Sequence, residues 1–402
     1  TNEYKVVFES KKHLPITIIN TCGFIHDAKE QSIETILACI QAKLEGNIQC
    51  LIVFGCLYQR YKKELKEELP EVDAFFGVQD IPGILNYLQA QFNPDLLINR
   101  TLSTPQHLAY LKISEGCNHH CSFCAIPQIR GKHISKPFEH LLKEAEILAE
   151  SGVKELILIA QDLSYYGIDV YKKSQLAKLL QELLHVKGIE WIRLHYTYPN
   201  AFPLEVLDIM RENDKICKYL DLPLQHINNE ILQSMKRHIT EKEIRNLIDT
   251  IRSKVPEIAL RTSLIVGYPG ETKKMYRQLE SFVQEIQFDR LGVFTYSHED
   301  KTAAFSLKDS ITKREKEERK ENLMFLQQDI SLEKNNQKKG KIFKVLIDSE
   351  NRTDYIGRTE FDSPEVDNLV YVTKKSIKSE VGSFCKVKIN KASNFDLFGD
   401  II

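Results

Sequence analysis

The stretch "EGCNHHCSFCAIP", Glu115 to Pro127, carries Cys117, Cys121 and Cys124 at C-x3-C-x2-C spacing. Thiolates this close together on one segment point to a metal centre. A structural zinc site normally closes with four protein ligands, and no fourth Cys or His completes a knuckle at standard spacing. His119, His120 and His133 lie nearby, so spacing alone leaves zinc open. The other chemistry is a 4Fe-4S cluster on three thiolates, which keeps one iron for a ligand that is not protein. A second pair stands apart from the first: "INTCGF" (Ile19 to Phe24) and "FGCLYQR" (Phe54 to Arg60) put Cys22 and Cys56 directly after strand-like runs. Two thiols leaving neighbouring strand ends of one sheet can share a cluster.

The elements that must position these groups read as three regions. Between Ala109 and Phe294, apolar β-rich runs alternate with helical patterns. The strands are expected at Ala109 to Ile113, Leu156 to Ala160, Trp191 to Tyr196, Leu220 to Leu224, Leu260 to Val266 and Leu291 to Phe294. Helices are expected at His140 to Glu150, Leu176 to His185 and Glu241 to Val255. Six strand-helix units imply a parallel sheet with right-handed crossovers, curling into an open, partial TIM-type barrel whose functional residues follow the strands' C-terminal ends. The first ninety or so residues repeat that grammar as a small doubly wound α/β unit, with strands Ile16 to Asn20, Cys50 to Phe54 and Asp73 to Gly77. Residues 90–107 lose periodicity and read as a linker. The charged stretch Thr312 to Lys341 alternates acids with bases and predicts a solvated connecting helix. Beyond Gly340, short alternating strands predict a small all-β barrel. The domains are therefore placed at 1–95, 108–330 and 340–402, in a fold of class α/β plus β.

Bulk composition narrows the rest. The chain has 402 residues, 42% of them hydrophobic and 28% charged, and a net charge of -1. It is long enough for two or three buried cores, and its charge balance announces no nucleic-acid partner. No run reaches the eighteen or so apolar residues of a membrane span, and no signal peptide opens the sequence. The expected location is the cytoplasm, where its nine cysteines serve as ligands, catalytic thiols or core fillers and not as disulfides.

The C-x3-C-x2-C loop, with aromatic Phe123 before its last cysteine, following the first strand of a six-fold strand-helix barrel, resembles the radical S-adenosylmethionine enzymes. The resemblance implies that Cys117, Cys121 and Cys124 hold a 4Fe-4S cluster whose open iron chelates the cofactor's methionyl group. An electron then cleaves the sulfonium to a 5'-deoxyadenosyl radical. "LIAQDLSYYG", "DLPLQH" and "RTSLIVGYPGET" leave strands at the same end as the cysteine loop. By resemblance, Phe123, Gln161, Asp162, Gln225 and Arg261 line the cofactor, and Ile265 and Gly267 let backbone approach the adenine. A planar guanidinium suits a carboxylate; ordinary strand-end ion pairing is the competing role for Asp162 and Arg261.

The three-part order, "NTC" and "GC" domain, radical barrel, C-terminal β-barrel, resembles the methylthiotransferases over essentially the full chain. That family implies a second, auxiliary 4Fe-4S cluster on three N-terminal cysteines, here Cys22, Cys56 and a third, and a C-terminal TRAM domain that engages the substrate. No cysteine precedes Cys22, and Cys39 and Cys50 lie within a helical run and at the wrong strand end. The expectation is an N-terminus that is truncated here.

Family members modify an adenosine in transfer RNA or an aspartate in a ribosomal protein. An RNA-binding surface needs excess Lys and Arg. Gly340 to Ile402 holds ten Lys plus Arg against ten Asp plus Glu, and "GRTEFDSPEVDNLVYV" crowds together Glu360, Asp362, Glu365 and Asp367. An acidic loop favours a basic protein over RNA. "PEVD" (Pro364 to Asp367), "LPLQH" and "NFDLFG" also resemble the ribosomal-protein branch. These four carboxylates are thus the expected contacts to small-subunit ribosomal protein twelve, at whose aspartate β-carbon a methylthio group would be inserted. Transfer RNA is the alternative substrate, and a non-catalytic iron-sulfur sensor or RNA-binding scaffold the alternative of another class. An electron donor and a sulfur donor are implied partners; a membrane is not.

Overall fold

The computed structural model describes residues 4–8, 14–93, 100–374 and 378–402. The stretch 94–99 of the expected linker lies outside the described residues. The chain divides into two compact units: the first gathers residues 1–103, 116–132 and 297–306, the second residues 104–115, 133–296 and 307–402.

In the first unit, strands β1 (Ile16–Thr21), β2 (Cys50–Gly55) and β3 (Ala74–Phe76) form a parallel sheet in the order β1-β2-β3. Runs such as "LIVF" suit parallel strands buried on both faces. Leu51, Ile52 and Val53 are wholly buried, and Leu51 and Val53 share a core cluster with Ile36 of the helix His26–Leu44.

The second unit opens with β4 (Leu108–Lys112) and a small ribbon of β5 (Ser114–Glu115) with β6 (Ile134–Ser135). It continues through β7 (Glu155–Ile159), β8 (Trp191–Leu194), β9 (Ile216–Asp221), β10 (Ala259–Val266) and β11 (Arg290–Thr295). The sheet order β11-β10-β9-β8-β7-β4 is a sequential, parallel, open six-stranded sheet. Alternation is clear on β10: Leu260, Thr262, Leu264 and Val266 are buried, whereas Arg261, Ser263 and Ile265 share the half-buried face.

Two expectations change. The fourth barrel strand lies at Ile216–Asp221 instead of Leu220 to Leu224. Lys218 interrupts its apolar run, but the ammonium reaches the carbonyl oxygens of Asn213 and Ile216, so the stem lies along the strand while the charge is satisfied. The helix Lys313–Asn336 is also not simply solvated. Lys316, Arg319, Leu323, Gln327, Ile330 and Asn335 are buried at intervals of three to five residues, and the polar ones are paired: Arg319 to Glu271 and Glu315, Lys316 to Asp309, Gln327 to the Phe288 carbonyl.

Strands β12 (Ile342–Glu350), β13 (Asp354–Thr359), β14 (Val370–Thr373), β15 (Phe384–Ala392) and β16 (Leu397–Ile401) close a barrel in the order β12-β13-β14-β16-β15. Val345, Ile347, Val370, Val372, Val387 and Ile389 fill it. This barrel joins the six-stranded sheet through a largely ionic seam. Glu155, Arg193 and Arg358 are fully buried; Arg193 Nε and Arg358 Nη2 donate to the two Glu155 oxygens at 2.8 and 2.7 Å, and Arg358 Nε reaches Asp348 at 2.6 Å. Burial alone would raise the Glu155 carboxyl, but Arg358 and Arg193 together hold it down to about 2. Trp191, Tyr219, Leu346, Phe361 and Phe384 supply the apolar part.

Candidate active site

Cys117, Cys121 and Cys124 are half-buried on a loop of the first unit. Backbone bonds shape the loop: Cys124 N donates to Cys121 O at 3.0 Å, Cys117 N to Gly131 O at 3.1 Å, and His119 N points at Cys117 Sγ at 3.4 Å. Among the described residues, no three His, Cys, Asp or Glu side chains converge on a single ion. Three thiolates can each take one corner of a four-iron cube and leave the fourth iron open, whereas a structural zinc site closes with four protein ligands. His133 is buried, with Nε2 bonded to Ser135 Oγ at 3.1 Å and its ring against Tyr165. Phe123 is half-buried on the cysteine loop.

The second pair sits together. β1 and β2 pair in parallel with Thr21 opposite Gly55, so Cys22 and Cys56 leave adjacent strand ends side by side. The two turns approach so closely that a Cβ at Gly23 would lie 2.7 Å from Leu57 Cα, and one at Gly55 would lie 2.6 Å from Thr21 O. Gly55 also has φ +113, which side chains avoid. Cys22 is exposed and Cys56 half-buried. Cys39 and Cys50 are different: burial pushes both thiols up, and Cys39 packs against the domain core. Burial likewise raises Cys217 to about 12 and Cys385 to about 11, the state of inert core thiols.

In the second unit, Gln161 and Asp162 follow β7, Gln225 follows β9, and Ile265 and Gly267 stand at the C-terminal end of β10, whereas Arg261 is the third residue of that strand. Gln225 has φ +74 and is sewn to β10: its N donates to Ser263 O, and Ile265 N to its carbonyl, each at 2.8 Å. Gln225 and Ile265 are therefore neighbours, Gly267 follows two residues on, and Arg261 lies four residues before Ile265 on the same face of β10. Gly267, at φ +73, donates its N–H to the buried Glu271. Asp162 is buried and caps the next turn by accepting from Ser164 N at 2.8 Å; Gln161 carries a buried Oε1 with no hydrogen-bond partner. A buried, unsatisfied amide oxygen beside a strand end is the kind of group a polar ligand completes.

Arg261 has company that the sequence reading did not assign. Its Nη1 donates to Asp221 at 3.1 Å, and its Nε lies 3.6 Å from Asp367 of the C-terminal barrel. Asp221, the last residue of β9, also accepts from the backbone N–H of Tyr196 at 3.2 Å and is 1% exposed. Burial raises the Asp221 carboxyl more than Arg261 lowers it. Tyr196 has φ +62 yet is 46% exposed, a strained and open aromatic at the end of β8. The signal for Asp221 was its place at a strand end, hidden because that strand was expected four residues later.

The acidic loop requires a correction. Asp362 is wholly buried and paired with Arg290; Asp367 accepts from Tyr219 Oη at 2.7 Å and Ser363 N at 2.9 Å; Glu360 accepts from Lys218 N at 3.1 Å. These three carboxylates bind the six-stranded sheet, because burial beside Arg290, Arg261 and Lys218 satisfies them within the chain. Glu365 alone is exposed.

Residues 111–283 match the radical SAM superfamily, 340–402 the TRAM domain and 1–77 the uncharacterized protein family UPF0004. The radical S-adenosylmethionine methyltransferase TsrM from Kitasatospora setae, solved with cobalamin and a [4Fe-4S] cluster, shares the fold at TM-score 0.55 and 14% identity, over 71% of this chain and 64% of its own. Fold and cysteine loop are those of the radical SAM class. The chain is 54% identical to ribosomal protein uS12 methylthiotransferase RimO of Cytophaga hutchinsonii, over 96% of this chain and 89% of that one. It is 50% identical to RimO of Christiangramia forsetii, over 99% and 88%. The chain belongs to the ribosomal protein uS12 methylthiotransferase RimO family.

Proposed function

We propose that the protein inserts a methylthio group at the β-carbon of an aspartate in ribosomal protein uS12, working in the cytoplasm beside the ribosome. The observation that carries this reading is the identity of half or more, over nearly the whole chain, to uS12 methylthiotransferases. Cys117, Cys121 and Cys124 are the proposed ligands of the radical cluster, and Cys22 and Cys56 those of an auxiliary cluster. When bound, the clusters and S-adenosylmethionine supply the radical and sulfur chemistry that no side-chain base can perform at an unactivated carbon.

The chain's own residues bind and orient. Arg261, fixed by Asp221, presents its remaining N–H groups to the cofactor carboxylate. Gln161 and Gln225 offer amides to its polar groups, Asp162 shapes the turn behind Gln161, Phe123 flanks the cluster, and Ile265 and Gly267 bring backbone to the adenine. Tyr196 stands open at the strand ends where substrate enters. Glu365 is the carboxylate left to meet a basic protein. An electron donor and a sulfur donor complete the reaction.

Transfer RNA as substrate finds no support in the C-terminal barrel, where ten basic residues balance ten acidic ones. The test uses uS12 deuterated at aspartate β-carbons. Deuterium recovered in 5'-deoxyadenosine is expected; deoxyadenosine formed without deuterium in the presence of modified uS12 would reject hydrogen abstraction at that carbon.

A further inference from the structure

The two cysteine sets share a residue that neither motif contains. Arg130 ends the five-residue helix Ile126–Arg130 that follows Cys124, and its Nη2 lies 3.3 Å from Cys56 Sγ, within donor range of sulfur. We propose that Arg130 is a positioning residue that couples the cluster sites, donating a charge-assisted hydrogen bond to the Cys56 thiolate of the auxiliary cluster. This rests on the proposed role of Cys56.

The contact is held at both ends. Next to Arg130, Gly131 accepts from Cys117 N through its carbonyl and donates to Pro127 O, so the guanidinium springs from backbone tied to the radical loop. On the other side, the helix Cys56–Arg60 is anchored by Arg60, whose side chain is 1% exposed. Arg60 Nη1 donates to Gly23 O at 2.9 Å and Glu299 at 3.0 Å, and Nη2 pairs with Asp300 at 3.0 Å. The segment carrying Glu299 and Asp300 also grips the radical loop: Ala304 N donates to Ser122 O at 2.7 Å, and the Gln128 amide to Lys301 O. One strap of the first unit therefore fastens both helices between which Arg130 reaches.

The chemistry follows from charge. A thiolate on an iron-sulfur cluster becomes more electron-rich when the cluster is reduced, and a cationic donor at that sulfur stabilises the reduced form more than the oxidised one. Hydrogen bonds to cluster sulfurs and local charge are the protein's levers on potential. Arg suits the task because one N–H can point at sulfur while the rest of the fork stays bonded elsewhere.

The test is a redox titration followed by electron paramagnetic resonance on the full chain carrying Cys117→Ala, Cys121→Ala and Cys124→Ala, which isolates the auxiliary cluster. Adding Arg130→Met is expected to move the midpoint to lower potential at unchanged iron content. Arg130→Lys, which keeps charge and loses the fork, is expected to recover part of the shift and serves if the Met variant fails to fold. A purely structural role would alter thermal stability and leave the midpoint still. Unchanged midpoints in both variants would overturn the proposal alone. Iron content unaffected by Cys22→Ala and Cys56→Ala would overturn it together with the auxiliary-cluster assignment.

Discussion

His195 follows β8 at the seam between the six-stranded sheet and the C-terminal barrel. It is 7% exposed, and its Nε2 lies 2.8 Å from Ser363 Oγ. Burial first, then the Arg193 and Arg261 cations, push its pKa down to about 3. The folded imidazole is therefore neutral throughout the range in which an unfolded histidine, with an ordinary value near 6.5, takes up a proton. A depressed folded value means that stability is complete above the unfolded value and declines as pH falls toward the folded one. From pH 7 to pH 5 the linkage removes about 2 kcal/mol, a figure set by the unfolded histidine alone while the folded value stays below about 4. His195→Asn keeps a polar partner for Ser363 but cannot take up the proton. The assay is urea unfolding at both pH values, followed by the fluorescence of Trp191, the single tryptophan, which is 2% exposed and packs edge-on against Phe384 in this seam. The wild type should lose about 2 kcal/mol more than the variant between pH 7 and 5. Equal losses would refute a buried, neutral His195.

Other consequences are independent of that titration. Glu299→Ala removes one of the two carboxylates paired with buried Arg60 and should destabilise the first unit by about 1–3 kcal/mol in thermal or denaturant unfolding. Asp221→Asn should weaken S-adenosylmethionine binding about 10-fold or more by calorimetry, at unchanged iron content, because Arg261 loses its charged partner. Glu365→Gln should shift stability by no more than about 0.5 kcal/mol while raising KM for uS12. Asp362→Asn should do the reverse, costing several times more stability because it strips Arg290 of its buried partner, as a paired unfolding and kinetic measurement would read.

What the sequence revealed depended on whether the information was local. Cysteine spacing marked the radical loop, and the strand-then-cysteine pattern at Ile19 to Phe24 and Phe54 to Arg60 placed Cys22 and Cys56 at strand ends that the parallel register brings level. The sixfold strand-helix alternation gave the order of the sheet, with β9 displaced because "LDLPL" is more apolar than "ICKYLD". The carboxylates of Glu360, Asp362 and Asp367 misled for a different reason. Charge counting treats acids as solvated, whereas their partners, the Lys218 backbone N–H and the Arg290 and Arg261 cations, lie some 70 to 140 residues away in sequence. Separation in sequence also hid Arg130 from Cys56 and Arg60 from Glu299: a lone arginine has no motif, and only tertiary structure supplies its partner.

The most direct test of the central claim is mass spectrometry after anaerobic incubation of the reconstituted protein with S-adenosylmethionine, sulfide and reductant, offering uS12 and transfer RNA side by side. A methylthio increment on an aspartate-bearing uS12 peptide, lost with Cys117→Ala, is the predicted result. An increment on a transfer RNA adenosine, with uS12 unchanged, would contradict it.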